Sequence, residues 1–244
     1  MSFFSTFTQG LYPGEVVLLI AGIVLLGIFI FAFLYQLLHQ RSITVLLGFF
    51  LIPIICIGYP SIQSIQYKDG VVTVQKATDA LLNNPTDPQA RQALEQQTQK
   101  IADRASSNPT DAVTLAKAQF ALGHEEDAAK NLEKALQAKA DLPEALALKT
   151  KMQVAQNLQS LAAKVEQEPS NQEAKTDLQK NVTAAAQFKW ANPNAITSLA
   201  QAQSALGDHA AALKTINTAV AITPKSAPAL KLKETIAARA AIRQ

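Results

Sequence analysis

Residues 16–38 carry no charge at all: VVLLIAGIVLLGIFIFAFLYQLL. A helix rising about 1.5 Å per residue covers roughly 34 Å over that run, enough to cross a bilayer core of about 30 Å. After the polar residues 39–42 comes a second charge-free run over 43–62, ITVLLGFFLIPIICIGYPSI. Four polar residues between two spanning helices leave room only for a tight hairpin, one helix up and one down. Pro53 is expected to bend the second helix, which membrane helices tolerate. The leader, residues 1–15, contains no Lys or Arg. Together with the length of the apolar core, that argues for a retained anchor rather than a cleaved secretory signal. Phe3, Phe4 and Phe7 with Tyr12 suit either an aromatic foot at the membrane interface or a disordered tip.

Orientation rests on Arg41, the one Lys or Arg before residue 60. The cytoplasmic bias of such residues puts the short loop inside and both ends outside. In a bacterium that means an inner-membrane protein with a periplasmic soluble domain. The single cysteine, Cys56, lies within the second apolar run and has no partner for a disulfide. Neither run holds Asp, Glu, Lys, Arg or His, so no proton relay or ion site is expected there, and the hairpin reads as an anchor rather than a transporter.

The remainder is one soluble block. It holds 21 of the 22 Lys+Arg and 18 of the 19 Asp+Glu, because only Arg41 and Glu15 precede it. Both signs are interspersed, so no basic face with stacking aromatics is available for nucleic acid. From Lys76 onward, runs rich in Ala, Leu, Gln, Glu and Lys are broken at Asn-Pro, Glu-Pro and Ala-Asp-Leu-Pro. The reading is about nine helices and no strands. Residues 63–84 are expected to form a connector and the first soluble helix, and 85–244 the main helical domain. Helix starts are marked by Asp87-Pro88, Asn108-Pro109 and Asn192-Pro193.

Within this block AQFALGHEEDAAKNLEKAL (118–136) returns as AQSALGDHAAALKTINTAV (202–220), with Gly123 and Gly207 84 positions apart. The same offset pairs Pro85 with Pro169, Leu94 with Leu178, Asn108-Pro109 with Asn192-Pro193, Ala128 with Ala212, and Leu146 with Leu230. An internal duplication explains this, and a duplicated helical unit implies a stacked repeat architecture. Alanines at Ala128 and Ala135 let antiparallel helices approach closely, and Gly123 frees the backbone to end the first of them.

This small-residue pattern resembles the tetratricopeptide (TPR) repeat, best over 109–141 and 193–223, with Pro224 where that family places a closing proline. The first copy lacks that proline, and both copies lack the large aromatic often found early in the first helix, having Ala112 and Ile196 there. The intervening 143–192 reads as a lengthened, degenerate pair of two helices broken at Glu168-Pro169, and 229–243 as a capping helix. The resemblance implies an all-α fold, a transmembrane hairpin followed by an α-solenoid. It also implies a concave partner-binding groove lined by Val113, Lys117 and Phe120 in one copy and Thr197, Gln201 and Ser204 in the other. Ordinary exposed helix surface is the alternative reading of those six. Only Lys117 among them is cationic, so the carboxylate-gripping set of some family members is not expected.

His124 and His209 fall in turns of different repeats and read as solvated residues, not metal ligands. Phe188 and Trp190 are expected to end a long helix and pack under the next turn. No nucleophile–base set, phosphate loop or Cys/His spacing is present, so no catalytic residue, cofactor or metal is expected, and no enzyme. The layout is similar to bacterial membrane-anchored TPR proteins that assist cytochrome c maturation, which usually separate their two helices by a long loop. Proteins of similar layout, with cytoplasmic repeats, support exopolysaccharide secretion. The function expected is a scaffold or adaptor holding another protein in an envelope complex, with no small-molecule substrate. The alternative is an integral structural subunit whose hairpin packs inside such a complex.

Overall fold

The structure, a computed structural model, describes residues 11–39, 48–105 and 108–242. Among them helix is the only regular secondary structure. The first helix, α1 (Pro13–Leu38), is capped by the Glu15 carboxylate, which accepts from the Tyr12 N–H at 2.9 Å. Its stretch Gly14–Leu38 is long and apolar enough to cross a membrane. Most of its side chains face outward, Phe31 being 74% and Leu38 80% exposed. Among the less exposed ones, Glu15, Leu19, Gly22, Leu26, Phe29, Phe33 and Gln36 recur at alternating four- and three-residue steps, with Val16 and Ala32 beside them. That spacing is the seam of a helix packed against a nearly parallel-axis neighbour.

The neighbour is α2 (Leu51–Asn83). Gly22 lies against Cys56 and Ile57, and the Phe29 and Phe50 rings are 4.7 Å apart, so the two helices run in opposite directions. Arg41 and the rest of residues 40–47, like Phe3, Phe4 and Phe7, lie outside the described residues. Only α1 among the described helices meets the length and apolarity of a membrane span, whereas two spans are expected from the sequence. Of residues 63–84, expected to hold a connector and the first soluble helix, 63–83 are helical. They continue α2, which runs unbroken for 33 residues, about 50 Å. One stripe explains this: Pro53, Pro60, Ser64, Tyr67, Val74, Thr78 and Leu81 are buried along a single edge of the helix. Its early part meets α1 and its later part meets the helices that follow. Pro53 sits in the first turn of α2, and Pro60 is the interior proline.

Eight helices follow: α3 (Pro88–Ala105), α4 (Pro109–Leu122), α5 (Glu125–Ala138), α6 (Pro143–Gln167), α7 (Gln172–Ala185), α8 (Pro193–Ala205), α9 (His209–Ile222) and α10 (Ala227–Ile242). Their apolar faces meet in successive clusters. Tyr67, Val74 and Leu81 of α2 pack with Leu94 and Ile101 of α3 and Leu115 of α4. Phe120, Leu132 and Leu148 join α4, α5 and α6, while Leu158, Leu178 and Ala202 join α6, α7 and α8. Ile196, Ile216 and Ile236 close α8, α9 and α10.

The starts of α3 and α7, α4 and α8, α5 and α9, and α6 and α10 all differ by 84, and so do the ends of α2 and α6. Burial follows the same offset. Leu94 and Leu178, Ala116 and Ala200, and Ala128 and Ala212 are all fully buried. The capping chemistry repeats as well. Asn108 Oδ1 accepts from the Thr110 N–H, and Asn192 Oδ1 from those of Asn194 and Ala195. Gly123 and Gly207 take φ of 99° and 86°, a region that favours glycine, and the amides of His124 and Asp208 reach back to Gln119 and Gln203. Ala128→Leu or Ala212→Leu has no free volume to enter. Each is expected to cost roughly 1–3 kcal/mol in a thermal melt of the detergent-solubilised chain, and an unchanged melt would exclude this close approach of helices.

The ends of α4 and α8 depart from the period by one residue, and a larger departure lies at α7. α3 reaches Ala105, but α7 stops at Ala185, four residues short of the matching position. Phe188 and Trp190 therefore do not end a helix; they lie in the linker 186–192.

Candidate functional site: two clefts of the helical domain

The linker folds back onto the first half of the domain. The Arg91 guanidinium of α3 donates to the Ala191 carbonyl at 2.7 Å, and the Lys189 ammonium to Asn83 Oδ1 at the end of α2 at 2.6 Å. Lys151 of α6 donates to the Lys189 carbonyl at 2.6 Å. Trp190 Nε1 donates to the Ala185 carbonyl at 2.9 Å, which also accepts from the Phe188 N–H at 3.1 Å as the chain leaves α7. The Trp190 ring meets Phe120 and Phe188 edge-on, with centroids 6.5 and 5.7 Å away, and packs against three of the four core clusters. Next to it Asn192, 1% exposed, caps α8 and donates to Glu125 at the start of α5 at 3.0 Å. The start of one copy thus rests on the turn of the other: a Cβ on Gly123 would lie 3.4 Å from Pro193.

One cleft borders this linker, and a second lies further along the domain. The smaller, about 250 Å³, is bounded by Thr78, Asp79 and Leu82 of α2, Lys117 and Phe120 of α4, Leu148 and Lys151 of α6, and Phe188 of the linker. The Lys117 charge is paired with Glu144 at 2.7 Å. Lys151 forms no ion pair among the described residues and lies 5.2 Å from the Trp190 ring centre. Burial pulls its ammonium down to about 8 from 10.5. Because the folded value lies below the unfolded one, the unfolded chain binds more protons between about pH 8 and 10.5. Stability rises with pH across that window, and below it the cost of burying the ammonium is constant. Wild type is therefore expected to gain on Lys151→Met as melts move from pH 8 to 10.5. The gain is at most about 3 kcal/mol, and less where water screens the amine.

The larger cleft, about 750 Å³, lies between α6, α8 and α10. Amides and hydroxyls dominate its lining: Gln156 and Gln159, Asn194, Thr197, Ser198 and Gln201, and Thr235. Glu166 accepts from Gln201 at 2.9 Å and pairs with Arg239 at 3.1 Å. Such a lining can hydrogen-bond a polar chain, but it brings no nucleophile and base together.

The six residues expected from sequence do not form one surface. Lys117 and Phe120 border the smaller cleft, and Thr197 and Gln201 the larger. Val113 is fully buried, and Phe120 and Ser204 are each 3% exposed, so Val113 and Ser204 serve the core. His124 approaches Glu95 at 3.8 Å, and His209 approaches Ser204. Among the described residues no group of three or more His, Cys, Asp or Glu could hold a metal. Sequence reasoning passed over Lys151, Glu166 and Arg239. Each is one polar residue among many on a helix, and only the packing of distant elements sets it apart. Trp190 carried a signal, as the chain's single tryptophan beside an Asn-Pro start. No protein-family model, curated protein or solved structure matches the chain.

Proposed function

We propose that the chain is a membrane-anchored scaffold of the TPR type. Its α1–α2 hairpin sits in a bacterial inner membrane, and its helix pairs stack as a periplasmic solenoid that holds another protein of an envelope complex. The observation that supports anchoring is where the exposed large apolar residues fall. From Tyr12 to Ile65 they are dense, and beyond that they reduce to Val72, Leu146 and Leu230. Water would not support such a surface, whereas lipid would. The larger cleft, polar and open between first helices of successive pairs, is the surface on which a partner chain would lie. Catalysis, a cofactor and nucleic acid have no place in this reading.

A second reading makes the hairpin a subunit packed inside the complex, and the junction favours it. α2 passes without a break from the apolar segment into the domain core. Arg104 of α3 pairs with Glu15 of α1 at 3.0 Å while lying 4.6 Å from the centre of the Tyr12 ring. Exchanging residues 11–62 for an unrelated hairpin, with Tyr67 and Val74 kept in the core, tests the choice. An anchor-only role keeps partner capture, and a subunit role loses it while the domain still folds.

Sidedness is tested in intact cells. Gln137 is exposed near the end of α5, so Gln137→Cys in a Cys56→Ala background is expected to react with a membrane-impermeant maleimide without lysis. Protection until lysis would place the domain in the cytoplasm and redirect the partner search there.

A further inference from the structure

We propose that Lys151 is a nucleophilic amine, and that the smaller cleft is a site where aldehydes bearing an apolar substituent are captured on it as imines. The proposal is independent of the scaffold reading. Its ground is geometric: the amine is half-buried at a cleft of about 250 Å³, donates to one carbonyl, and has no carboxylate as ion-pair partner among the described residues. Leu82, Phe120, Leu148 and Phe188 supply an apolar wall for the substituent. The other charged groups lining the cleft are Asp79 from α2 and Lys117 from α4, while the linker offers the amine the Lys189 carbonyl and turns its own ammonium to Asn83. Asp79 forms no ion pair with it, and the Lys117 charge is matched by Glu144.

A lysine so placed gives up its proton readily. About one molecule in ten is then neutral at pH 7, against about one in 3000 for an ordinary lysine. The neutral nitrogen attacks the carbonyl carbon, and the carbonyl electron pair moves to oxygen. A proton passes from nitrogen to that oxygen through water, and loss of water leaves the C=N bond. No oxidant or reductant takes part. Capture would neutralise the ammonium beside Trp190, so the site also bears on the linker that joins the two halves.

The test is reductive amination of the full-length chain in detergent micelles with benzaldehyde and cyanoborohydride, followed by peptide mass mapping. The larger neutral fraction, partly offset by the weaker nucleophilicity of a less basic amine, leaves an advantage of about tenfold over exposed Lys225 at pH 7. That advantage is expected to collapse at pH 10.5, where lysines in general lose their protons. Lys151→Arg, which keeps a cation beside Trp190, is expected to abolish the fast labelling with an unchanged melt. Labelling of Lys151 no faster than of Lys225 at pH 7, or an advantage undiminished at pH 10.5, would overturn the proposal.

Discussion

Trp190→Ala is expected to lower the stability of the chain by about 3 kcal/mol, at the lower end for a large aromatic because the ring is only half-buried. In a domain of this size that corresponds to a fall of roughly 6–12 °C in melting temperature. The effect is large because one ring serves three clusters. It packs with Phe120 in the α4–α6 core, with Phe188 beside the α6–α8 core, and with the α8–α10 core. Its removal also frees the Ala185 carbonyl and the cation of Lys151 from their contacts with the indole. Trp190→Phe keeps much of the packing and loses the Nε1 hydrogen bond, so about 1 kcal/mol is expected. Circular dichroism melts of the detergent-solubilised full chain separate the two. If Trp190→Ala melts with wild type, the linker is a surface loop and the two halves are held by other contacts.

Gly22→Val is expected to force α1 from α2, costing about 3 kcal/mol, at the upper end of overpacking effects. Even a Cβ at position 22 would lie 2.8 Å from the Ile57 side chain, 2.9 Å from Cys56 and 3.1 Å from the Ile57 backbone nitrogen. A side chain can rotate away, but the backbone of a helix cannot. Gly27→Val is the control, since nothing lies within 4 Å of its Cβ position. Cys56 reports the outcome, because it faces the seam and is the only thiol. Its alkylation by a maleimide in micelles is expected to quicken about tenfold or more in Gly22→Val and to stay unchanged in Gly27→Val, in line with an energetic cost of that size. Equal rates in both variants would mean that α1 and α2 do not pack at Gly22. Fragments that omit the apolar segment need care for a related reason: one starting at Lys76 would delete Tyr67 and Val74 from the core.

Local signals in the sequence carried the elements. The charge-free run over residues 16–38, the Asn-Pro starts and the glycine turns determine the long apolar helix and the boundaries of α4, α5, α8 and α9, because capping, proline geometry and positive φ act within a few residues. The 84-residue spacing likewise needs no structure to be seen. What the sequence left open depends on contacts between distant segments. Nothing local told that α2 would continue through Pro60 into the domain. Its buried stripe from Pro53 to Leu81 meets two different partners, and only their placement keeps one helix intact. Nor could composition tell that α7 would stop at Ala185 and send Trp190 back over α4 and α6. The Val113 side chain was taken by the core, and Lys151 was left at a cleft with no ion-pair partner among the described residues, for the same reason. Helical periodicity specifies which face a residue is on, but only tertiary packing decides whether that face meets solvent, another helix or the chain's own linker.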